Sequence, residues 1–385
     1  MLAFVLVFFS VFLATHAYVW QRLVLAPGWP APLARLLSLT LLSGAVGAPL
    51  MLMRHRAGGA GAAGLGLTLG LYWIGCFFFL FVATAAFDGL VRLAQAALAA
   101  GGAAPSPERR QWLLRAAGVG SVALASGMAL YSRHTVRSGP RLCELDVTLR
   151  RLPKALDGLR IAQVSDLHVA PLLGKAYVDR VVDLVLAARP DVIVLTGDLM
   201  DGSVDELSAD MAPLGRLHAP KGVFMITGNH EYYSGADAWL AHLATLGIRP
   251  LRNEHVALGT PAAPLALAGI DDWTARRFGN GHGADLPRAL AGLPKDGAVV
   301  LLAHQPRAVD EAARLGVDLV LSGHTHGGQL WPFGALVRLV QPYLRGLHRH
   351  GEHTQIYVHP GTGYWGPPMR LGAPAEVAVL RLRAP

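Results

Sequence analysis

Cysteine is almost absent from this 385-residue chain, which contains two, Cys76 and Cys143. So few thiols exclude a disulfide framework and a thiolate metal site. Acidic residues are almost absent from the first 139 positions, which hold two against ten arginines, whereas the rest of the chain holds 24 acidic and 24 basic residues. The net charge of +8 therefore belongs to the N-terminal part, and the balanced remainder lacks the basic surface that nucleic-acid binding needs. The sequence also contains no P-loop and no serine-nucleophile motif.

The N-terminal part is instead dominated by long apolar runs. Four of them are long enough to cross a bilayer of about 30 Å. They lie near residues 2–19, 36–53, 65–87 and 112–131. The first could instead be a signal peptide, but it lacks a basic start and a small-residue cleavage site, which favours a retained helix. The sequence therefore predicts three parts: a membrane region over 1–131, a linker and first strand over 132–155, and a polar domain over 156–385.

The arginines in the loops between these segments indicate how the chain crosses the membrane. If the N-terminus lies outside, the inner loops contain five arginines and the outer loop two. These are Arg22, Arg35, Arg92, Arg109 and Arg110 inside, with Arg54 and Arg56 outside. Because cytoplasmic loops carry the excess of basic residues, we expect a protein of the inner (cell) membrane whose polar domain lies on the non-cytoplasmic side. The Arg109-Arg110 pair also resembles a twin-arginine export signal, which agrees with that side.

The polar domain repeats one pattern, an apolar strand that ends in a carboxylate, amide or imidazole side chain. Strands are predicted at 160–165, 192–196, 222–227, 298–303 and 318–322. The polar side chains that follow them are Asp166, His168, Asp198, Asn229, His230, Glu231, His304, His324 and His326. Helical patterns at 175–188 and 306–315 predict βαβ connections, and ligand-binding loops of an α/β sheet lie at such strand ends.

A shared metal cluster explains these strand ends better than packing does. An unpaired carboxylate or imidazole that is buried costs free energy, and a metal cluster would satisfy all of them at once. Each residue alone has an ordinary alternative: Asp166 could cap a helix, Asn229 could hold a turn and His304 could be a paired core histidine. Five such strand ends together favour the metal site.

In chain order, these motifs resemble those of the calcineurin-like metallophosphoesterases, over about residues 156–382. They are Asp166-x-His168, Gly197-Asp198, Gly228-Asn229-His230-Glu231, His304 and Gly323-His324-x-His326. The resemblance implies a four-layer αββα sandwich, with two mixed β-sheets packed together and helices outside. It also implies two divalent metal ions, of which Mn, Fe, Zn and Co all suit nitrogen and oxygen ligands. One ion would be held by Asp166, His168 and His326, the other by Asn229, His304 and His324, with Asp198 bridging them.

The same resemblance implies the chemistry. A hydroxide shared by two cations would attack phosphorus in line, Asp198 would hold the pair together, and His230 would act as the acid beside the site. Arg370 and Glu231 are candidates for substrate binding. The alternatives are an exposed loop arginine for Arg370, and for Glu231 a surface acid or a partner that orients His230. Asp201 matches no ligand position and is expected to be structural or to support the ligands from behind.

Two further segments are similar to the membrane-associated bacterial branch of this family. They are residues 327–333 and 361–366. Members of that branch act on phosphodiesters, and some on the pyrophosphate of UDP-2,3-diacylglucosamine. We therefore expect a membrane-anchored hydrolase of a phosphodiester or pyrophosphate bond, with the membrane and a lipid-linked or envelope phosphate ester as partners. A broad phosphomonoesterase and a non-catalytic membrane receptor remain as alternatives. A UDP-linked lipid is met on the cytoplasmic face, which conflicts with the expected topology.

Overall fold

A computed structural model describes residues 2–56, 63–101, 106–294 and 296–385. The chain forms two compact units. The first contains Met1–His134 together with Gly366–Met369, and the second contains Thr135–Trp365 together with Arg370–Pro385.

Helices make up most of the first unit. They are α1 (Leu2–Trp20), α2 (Ala31–Arg56), α3 (Ala63–Ala100) and α4 (Pro107–Arg137), with a short π-helical turn, Gln21–Leu25, after α1. Among the described residues, three stretches are long and apolar enough to cross a membrane, judged by length and composition. These stretches are Ala31–Arg54, Gly64–Ala100 and Pro107–Arg137. The span predicted near residues 2–19 coincides with α1, but the side chains of residues 2–6 and 8 lie outside those that the structure describes.

Two helices extend beyond the apolar segments predicted from the sequence. Helix α3 has 38 residues, which is about 57 Å of helix, whereas the apolar segment ends near residue 87. Its last turns are rich in alanine and leucine, whose helix propensity continues the helix after the hydrophobicity falls. Helix α4 continues through residues 132–137, which the sequence assigned to a linker, and ends just before Gly139-Pro140. Glycine and proline together stop a helix, whereas the polar residues before them do not.

The second unit contains two mixed sheets, each with six strands. The strands are β1 (Arg141–Thr148), β2 (Arg160–Val164), β3 (Val192–Leu195), β4 (Val223–Met225), β5 (Arg249–Pro250), β6 (Glu254–Ala257), β7 (Leu265–Gly269), β8 (Ala298–Leu302), β9 (Leu319–Ser322), β10 (Gly346–His350), β11 (Thr354–Val358) and β12 (Glu376–Arg383). One sheet has the order β1-β12-β2-β3-β4-β5, with β12 antiparallel to β2. The other has the order β10-β11-β9-β8-β7-β6, with antiparallel strands at both edges.

Alternate residues of the central strands face different layers, which is why these strands are apolar throughout. In β3, Val192 and Val194 pack into the core between the sheets, whereas Ile193 and Leu195 pack against helices. In β8, Val300 belongs to the core between the sheets and its neighbours face the opposite side. A strand that is buried on both faces cannot alternate with polar residues, so its sequence is a continuous apolar run.

Helices cover the outer faces of both sheets. The helices of the second unit are α5 (Lys175–Ala187), α6 (Val204–Met211), α7 (Asn229–Ser234), α8 (Ala236–Thr245), α9 (Leu286–Leu290), α10 (Val309–Arg314) and α11 (Gly334–Val337). Helices α5, α6 and α8 share a core with the first sheet, and α9 and α10 share a core with the second. The helix predicted at 306–315 forms as a 3₁₀ turn, Pro306–Ala308, followed by α10. The layers confirm the predicted four-layer αββα sandwich.

Candidate metal centre

Loops after five strands bring the predicted ligands to one place. Parallel strands of one sheet have their carboxyl ends at the same edge, so the residues that follow them converge. Strand β2 leads to Asp166 and His168, β3 to Asp198, β4 to Asn229, β8 to His304, and β9 to His324 and His326. The first three strands belong to one sheet and the last two to the other, so the cluster lies where both sheets end.

The backbone of these loops is strained at the ligands themselves. Nine non-glycine residues in the described ranges have a positive φ, and five of them are predicted ligands. These are Asp166 (53°), His168 (49°), Asp198 (54°), His324 (70°) and His326 (51°). This left-handed conformation is uncommon for residues with a side chain, and it persists only where the surrounding structure enforces it. Its concentration here indicates that the fold turns these side chains toward a common centre.

Two glycines allow the loops to approach the carboxylates closely. A Cβ on Gly323 would lie 2.2 Å from Oδ2 of Asp166, and a Cβ on Gly228 would lie 2.2 Å from Oδ1 of Asp198. Both distances are far below a van der Waals contact, so only glycine fits at these positions. The glycines of the sequence motifs therefore have a packing role beside the ligands.

Asp166, His168 and His326 form the first group of possible ligands, and all three are buried. The Nε2 atoms of His168 and His326 are 3.0 Å apart, and Nε2 of His326 is 3.4 Å from Oδ1 of Asp166. Burial, followed by the charges of His168 and Arg370, holds the pKa of His326 well below its usual value. His326 is therefore neutral, and a neutral imidazole nitrogen is a metal ligand.

Asp198, His304 and His324 form the second group. Oδ2 of Asp198 is 3.1 Å from Nε2 of His304 and 3.8 Å from Nε2 of His168. The carboxylate of Asp198 thus belongs to the second group and approaches one residue of the first, His168. Burial and the charge of His304 lower the pKa of His324 to about 3, so this imidazole is also neutral.

Asn229 supplies a direct test of whether these residues fit a metal. Its Oδ1 atom is buried, and no hydrogen-bond donor reaches it among the described residues. Nε2 of His304 is also buried without a hydrogen-bond partner among the described residues, although it lies 3.1 Å from Oδ2 of Asp198. Unpaired buried polar atoms are rare because they lose their hydration without compensation. Both atoms are predicted ligands of the second ion, so the donor set fits a pair of divalent cations.

Asp201 connects the ligands to the predicted acid. Oδ1 of Asp201 lies 2.6 Å from Nδ1 of His230, and both carboxylate oxygens lie 3.1 Å from Nδ1 of His168. With its Nδ1 proton donated to Asp201, His168 presents Nε2 to the centre. Burial alone would lower the pKa of His230, but the charges of Asp198 and Asp201 raise it to about 9. His230 is thus protonated at neutral pH before any cation binds.

Glu231 is neither a surface acid nor a partner of the His230 imidazole. Its carboxylate is buried and accepts N–H groups from Asp198 at 3.0 Å, Leu199 at 2.7 Å and Gly228 at 2.6 Å. Burial and the charge of Asp198 raise the pKa of Glu231. Both alternatives considered from the sequence are wrong because the side chain turns inward, where it holds two ligand-bearing loops together. Engagement of its oxygens by main-chain donors favours a structural role, and substrate binding by Glu231 stays a prediction from the sequence.

Arg370 is buried rather than exposed at a loop end. Its guanidinium donates to the carbonyls of Gly363 at 2.7 Å, Pro360 at 2.9 Å and Ala373 at 2.7 Å. Its Nη2 lies 3.4 Å from Nδ1 of His326. Burial lowers the pKa of Arg370 to about 10, which leaves it charged at neutral pH. These engaged donors favour a role for Arg370 in supporting His326 from behind, and the substrate contact stays a prediction from the sequence.

Two exposed aromatic rings flank His230, and the site assignment from the sequence did not include them. The centroid of the His230 ring is 5.2 Å from that of Tyr233 and 6.1 Å from that of Trp365. Tyr233 is 64% exposed and Trp365 is 54% exposed. Tyr233 lies in the same short helix as Asn229 and His230, three residues after His230. Residues three apart share a helix face, and this spacing was the signal in the sequence that could have placed Tyr233 beside His230.

Comparison with known proteins agrees with the geometry. Residues 159–328, which include all seven predicted ligands, match the model of the calcineurin-like phosphoesterase family. A transmembrane protein with a metallophosphoesterase domain from Danio rerio is 38% identical over 322 residues, or 82% of this chain and 72% of that protein. Its namesake from Bos taurus is 42% identical over 255 residues, or 64% of this chain and 57% of that protein.

A bacterial relative has the same sequence identity to this chain as the Bos taurus protein. A metallophosphoesterase of Helicobacter pylori is 42% identical over 244 residues, or 63% of this chain and 64% of that protein. This chain thus spans less than two thirds of the Bos taurus and Helicobacter pylori relatives. The match to the Danio rerio protein extends over most of both chains and so includes residues outside the αββα domain. On this evidence the chain belongs to the calcineurin-like metallophosphoesterases, which are metal-dependent phosphoester hydrolases.

Proposed function

We propose that this chain is a membrane-anchored hydrolase that cleaves a phosphodiester or pyrophosphate bond at a centre for two divalent cations. The observation that supports the proposal is the position of Asp198, whose Oδ2 lies 3.1 Å from Nε2 of His304 in its own group of possible ligands and 3.8 Å from Nε2 of His168 in the other. Asp166, His168 and His326 would hold one ion, and Asn229, His304 and His324 the other. Bound there, two cations would neutralise charge on the phosphoryl oxygens and bring the pKa of a water molecule toward neutrality.

The protein's own residues supply the remaining chemistry. As water attacks phosphorus, the bond to the leaving oxygen breaks, and that oxygen needs a proton. His230 is placed to give it, because its Nδ1 is held by Asp201 and its pKa is raised by neighbouring carboxylates. The main-chain N–H of His230 donates to Oδ1 of Asp198 at 2.8 Å, which fixes the acid beside the bridging carboxylate. The attacking water releases one proton to solvent, and solvent then restores the proton of His230.

The aromatic rings beside His230 favour a substrate with a bulky leaving group. Tyr233 and Trp365 expose most of their surface next to the acid. Inorganic phosphate and small monoesters leave such surfaces uncovered, whereas the second ester group of a diester or pyrophosphate would lie against them. This is the feature that favours the diester over the broad phosphomonoesterase. A lipid-linked or envelope phosphate ester is the substrate class that we propose for a membrane-anchored chain.

Hydrolysis assays on the full chain in detergent test this function. After chelator treatment and addition of Mn²⁺, bis(p-nitrophenyl) phosphate is expected to turn over faster than p-nitrophenyl phosphate. Asp198→Asn is expected to abolish both activities, whereas Asp205→Asn, which alters an exposed acid in α6, is the matched control. Metal-dependent turnover of the monoester alone would favour the phosphomonoesterase. No turnover with any metal, in a folded sample, would favour the non-catalytic receptor.

We also propose that the αββα domain lies on the non-cytoplasmic side of the cell membrane, as the loop arginines indicate. Labelling of intact cells tests this side. A single cysteine introduced as Asp205→Cys, in a background without Cys76 and Cys143, is expected to react with a membrane-impermeant maleimide. Reaction only after the membrane is permeabilised would place the domain in the cytoplasm and would restore a UDP-linked lipid as a candidate.

A further inference from the structure

An exposed apolar segment follows the turn that bears His324 and His326. Within residues 331–340, here called the apolar segment, Trp331 is 62%, Leu336 59%, Leu339 79% and Val340 63% exposed. Single exposed apolar side chains are ordinary on a protein surface, but a concentration of large ones within ten residues marks an interaction site. The segment includes α11 and the turns on either side of it.

Both ends of the apolar segment are fastened next to the metal centre. Before it, the side chain of Gln329 donates to the carbonyl of Trp365 at 2.8 Å and accepts the Trp365 N–H at 3.0 Å. After it, the carbonyl of Leu344 accepts the hydroxyl of Thr325 at 2.6 Å. Thr325 lies between His324 and His326, and Trp365 flanks His230. Hydrogen bonds therefore connect the two ends of the apolar segment to the turn that bears His324 and His326 and to Trp365, which lies beside His230.

The chain around the apolar segment is basic. No acidic residue occurs between Asp318 and Glu352, while Arg338, Arg345 and Arg349 are exposed in that interval. Arg307, from the 3₁₀ turn before α10, donates to the carbonyl of Val340 at 3.1 Å and adds a further cation at the end of the segment. Tryptophan and leucine beside basic side chains are the composition of surfaces that bind the headgroup region of membranes.

We propose that the apolar segment binds the interface of a lipid bilayer that carries anionic headgroups. Trp331, Leu336, Leu339 and Val340 would enter the boundary between headgroups and acyl chains, and the arginines would contact lipid phosphates. The chain itself supplies the reason to choose a bilayer over a protein partner. In the part of the chain that the structure describes, three helices are long and apolar enough to span a membrane, and only residues 138–140 separate α4 from β1. A domain tethered by so short a connection meets a bilayer at high effective concentration.

The consequence for catalysis rests on the proposed function. A bilayer held against the apolar segment would place lipid phosphate esters near the ligand turn, because that turn and the segment are fastened together. Binding of the bilayer itself requires neither cations nor turnover. A failure of membrane binding and a failure of hydrolysis are therefore separate results.

Fluorescence quenching on the full chain tests the proposal. In a background without Cys76 and Cys143, Leu339→Cys and Leu336→Cys each carry an environment-sensitive fluorophore. The matched control is Leu315→Cys, an exposed leucine at the end of α10 that lies outside the segment. Each labelled protein is reconstituted into vesicles of phosphatidylcholine and phosphatidylglycerol in equal parts, with a nitroxide quencher on the lipid near headgroup depth.

The expected result is several-fold stronger quenching at positions 339 and 336 than at position 315, with blue-shifted emission at the first two. Quenching is expected to be weaker in vesicles of phosphatidylcholine alone, because the arginines then have no anionic headgroups to attract them. Arg338→Glu is also expected to weaken it, because it replaces a basic charge of the segment with an acidic one. Aqueous emission at both segment positions would overturn the proposal. Equal quenching at all three positions would also overturn it, because the segment would then have no preference over the rest of the domain.

Discussion

Oδ1 of Asp201 lies 2.6 Å from Nδ1 of His230, and the same carboxylate reaches Nδ1 of His168 at 3.1 Å. One acid that matches no ligand motif thus contacts both a predicted metal ligand and the proposed proton donor. The ring of His168 lies edge-on to that of His230, with centroids 4.7 Å apart, so the two histidines are fixed relative to each other. Asp201 is a positioning residue: it acts on the centre through these two imidazoles.

Replacing Asp201 therefore tests this positioning role. Asp201→Asn is expected to lower hydrolysis of a phosphodiester by about 10- to 100-fold, as is usual when the partner of a metal-bound histidine is removed. Because Asp201 raises the pKa of His230, the alkaline limb of the pH–rate profile should also move to lower pH. The profile is measured beside that of Asp205→Asn. A uniform loss of rate with an unmoved alkaline limb would contradict the link between Asp201 and His230.

Glu231→Gln separates a structural role from a catalytic one. The buried carboxylate satisfies three main-chain N–H groups, and an amide has only one oxygen to offer them. We expect the free energy of unfolding to fall by about 1–3 kcal/mol, the cost of leaving buried donors unpaired. Thermal unfolding of the full chain in detergent measures this, with the exposed Glu352→Gln as control. Unchanged stability with a raised KM would restore the substrate-binding role.

Replacing Arg370 gives a sharper test of the same kind. A structural role predicts lower stability, whereas a substrate contact predicts normal stability with a raised KM. With its guanidinium donating to four main-chain carbonyls, Arg370→Met is expected to lower the free energy of unfolding by about 2–4 kcal/mol. Arg370→Lys should recover only part of this, since an ammonium cannot reproduce the planar fork. Arg314→Met, at an exposed position, is the control. A normal melting temperature with a raised KM would identify a substrate contact instead.

The pKa of His230 predicts how the metal-free protein responds to pH. Its folded-state pKa of about 9 exceeds the ordinary value of 6.5, so the protonated form is stabilised by folding. This stabilisation is complete below pH 6.5 and is lost as the pH rises through about 9. In chelator, the difference in melting temperature between the wild type and His230→Gln should be largest near pH 6 and disappear above pH 9. A difference that is constant with pH would contradict the assignment.

Much of the site could be predicted from the sequence because the ligands follow apolar strands directly. Strand ends in an α/β sheet converge whatever the detailed packing, so Asp166, Asp198 and His304 could be placed together without coordinates. The four-layer arrangement was likewise confirmed, since strands that are apolar throughout must be covered on both faces.

Arg370 and Glu231 show what the sequence did not indicate. Whether a charged residue is exposed depends on which distant carbonyls or N–H groups meet it, and those partners are set by tertiary packing. For Arg370 they come from the loop around Pro360–Ala373, and for Glu231 from two separate strand ends. The extent of α3 and α4 was underestimated for another reason: hydropathy reports the apolar length of a helix, not the point where its backbone stops.

The measurement that tests the central claim most directly is calorimetric titration of the chelator-stripped full chain with Mn²⁺, for the wild type and Asp198→Asn. If Asp198 is shared between two groups of ligands, the wild type should bind two ions per chain and Asp198→Asn should lose affinity at both sites. Asp205→Asn should bind as the wild type does. A single site in the wild type, or two unchanged sites in Asp198→Asn, would contradict a shared carboxylate at the centre.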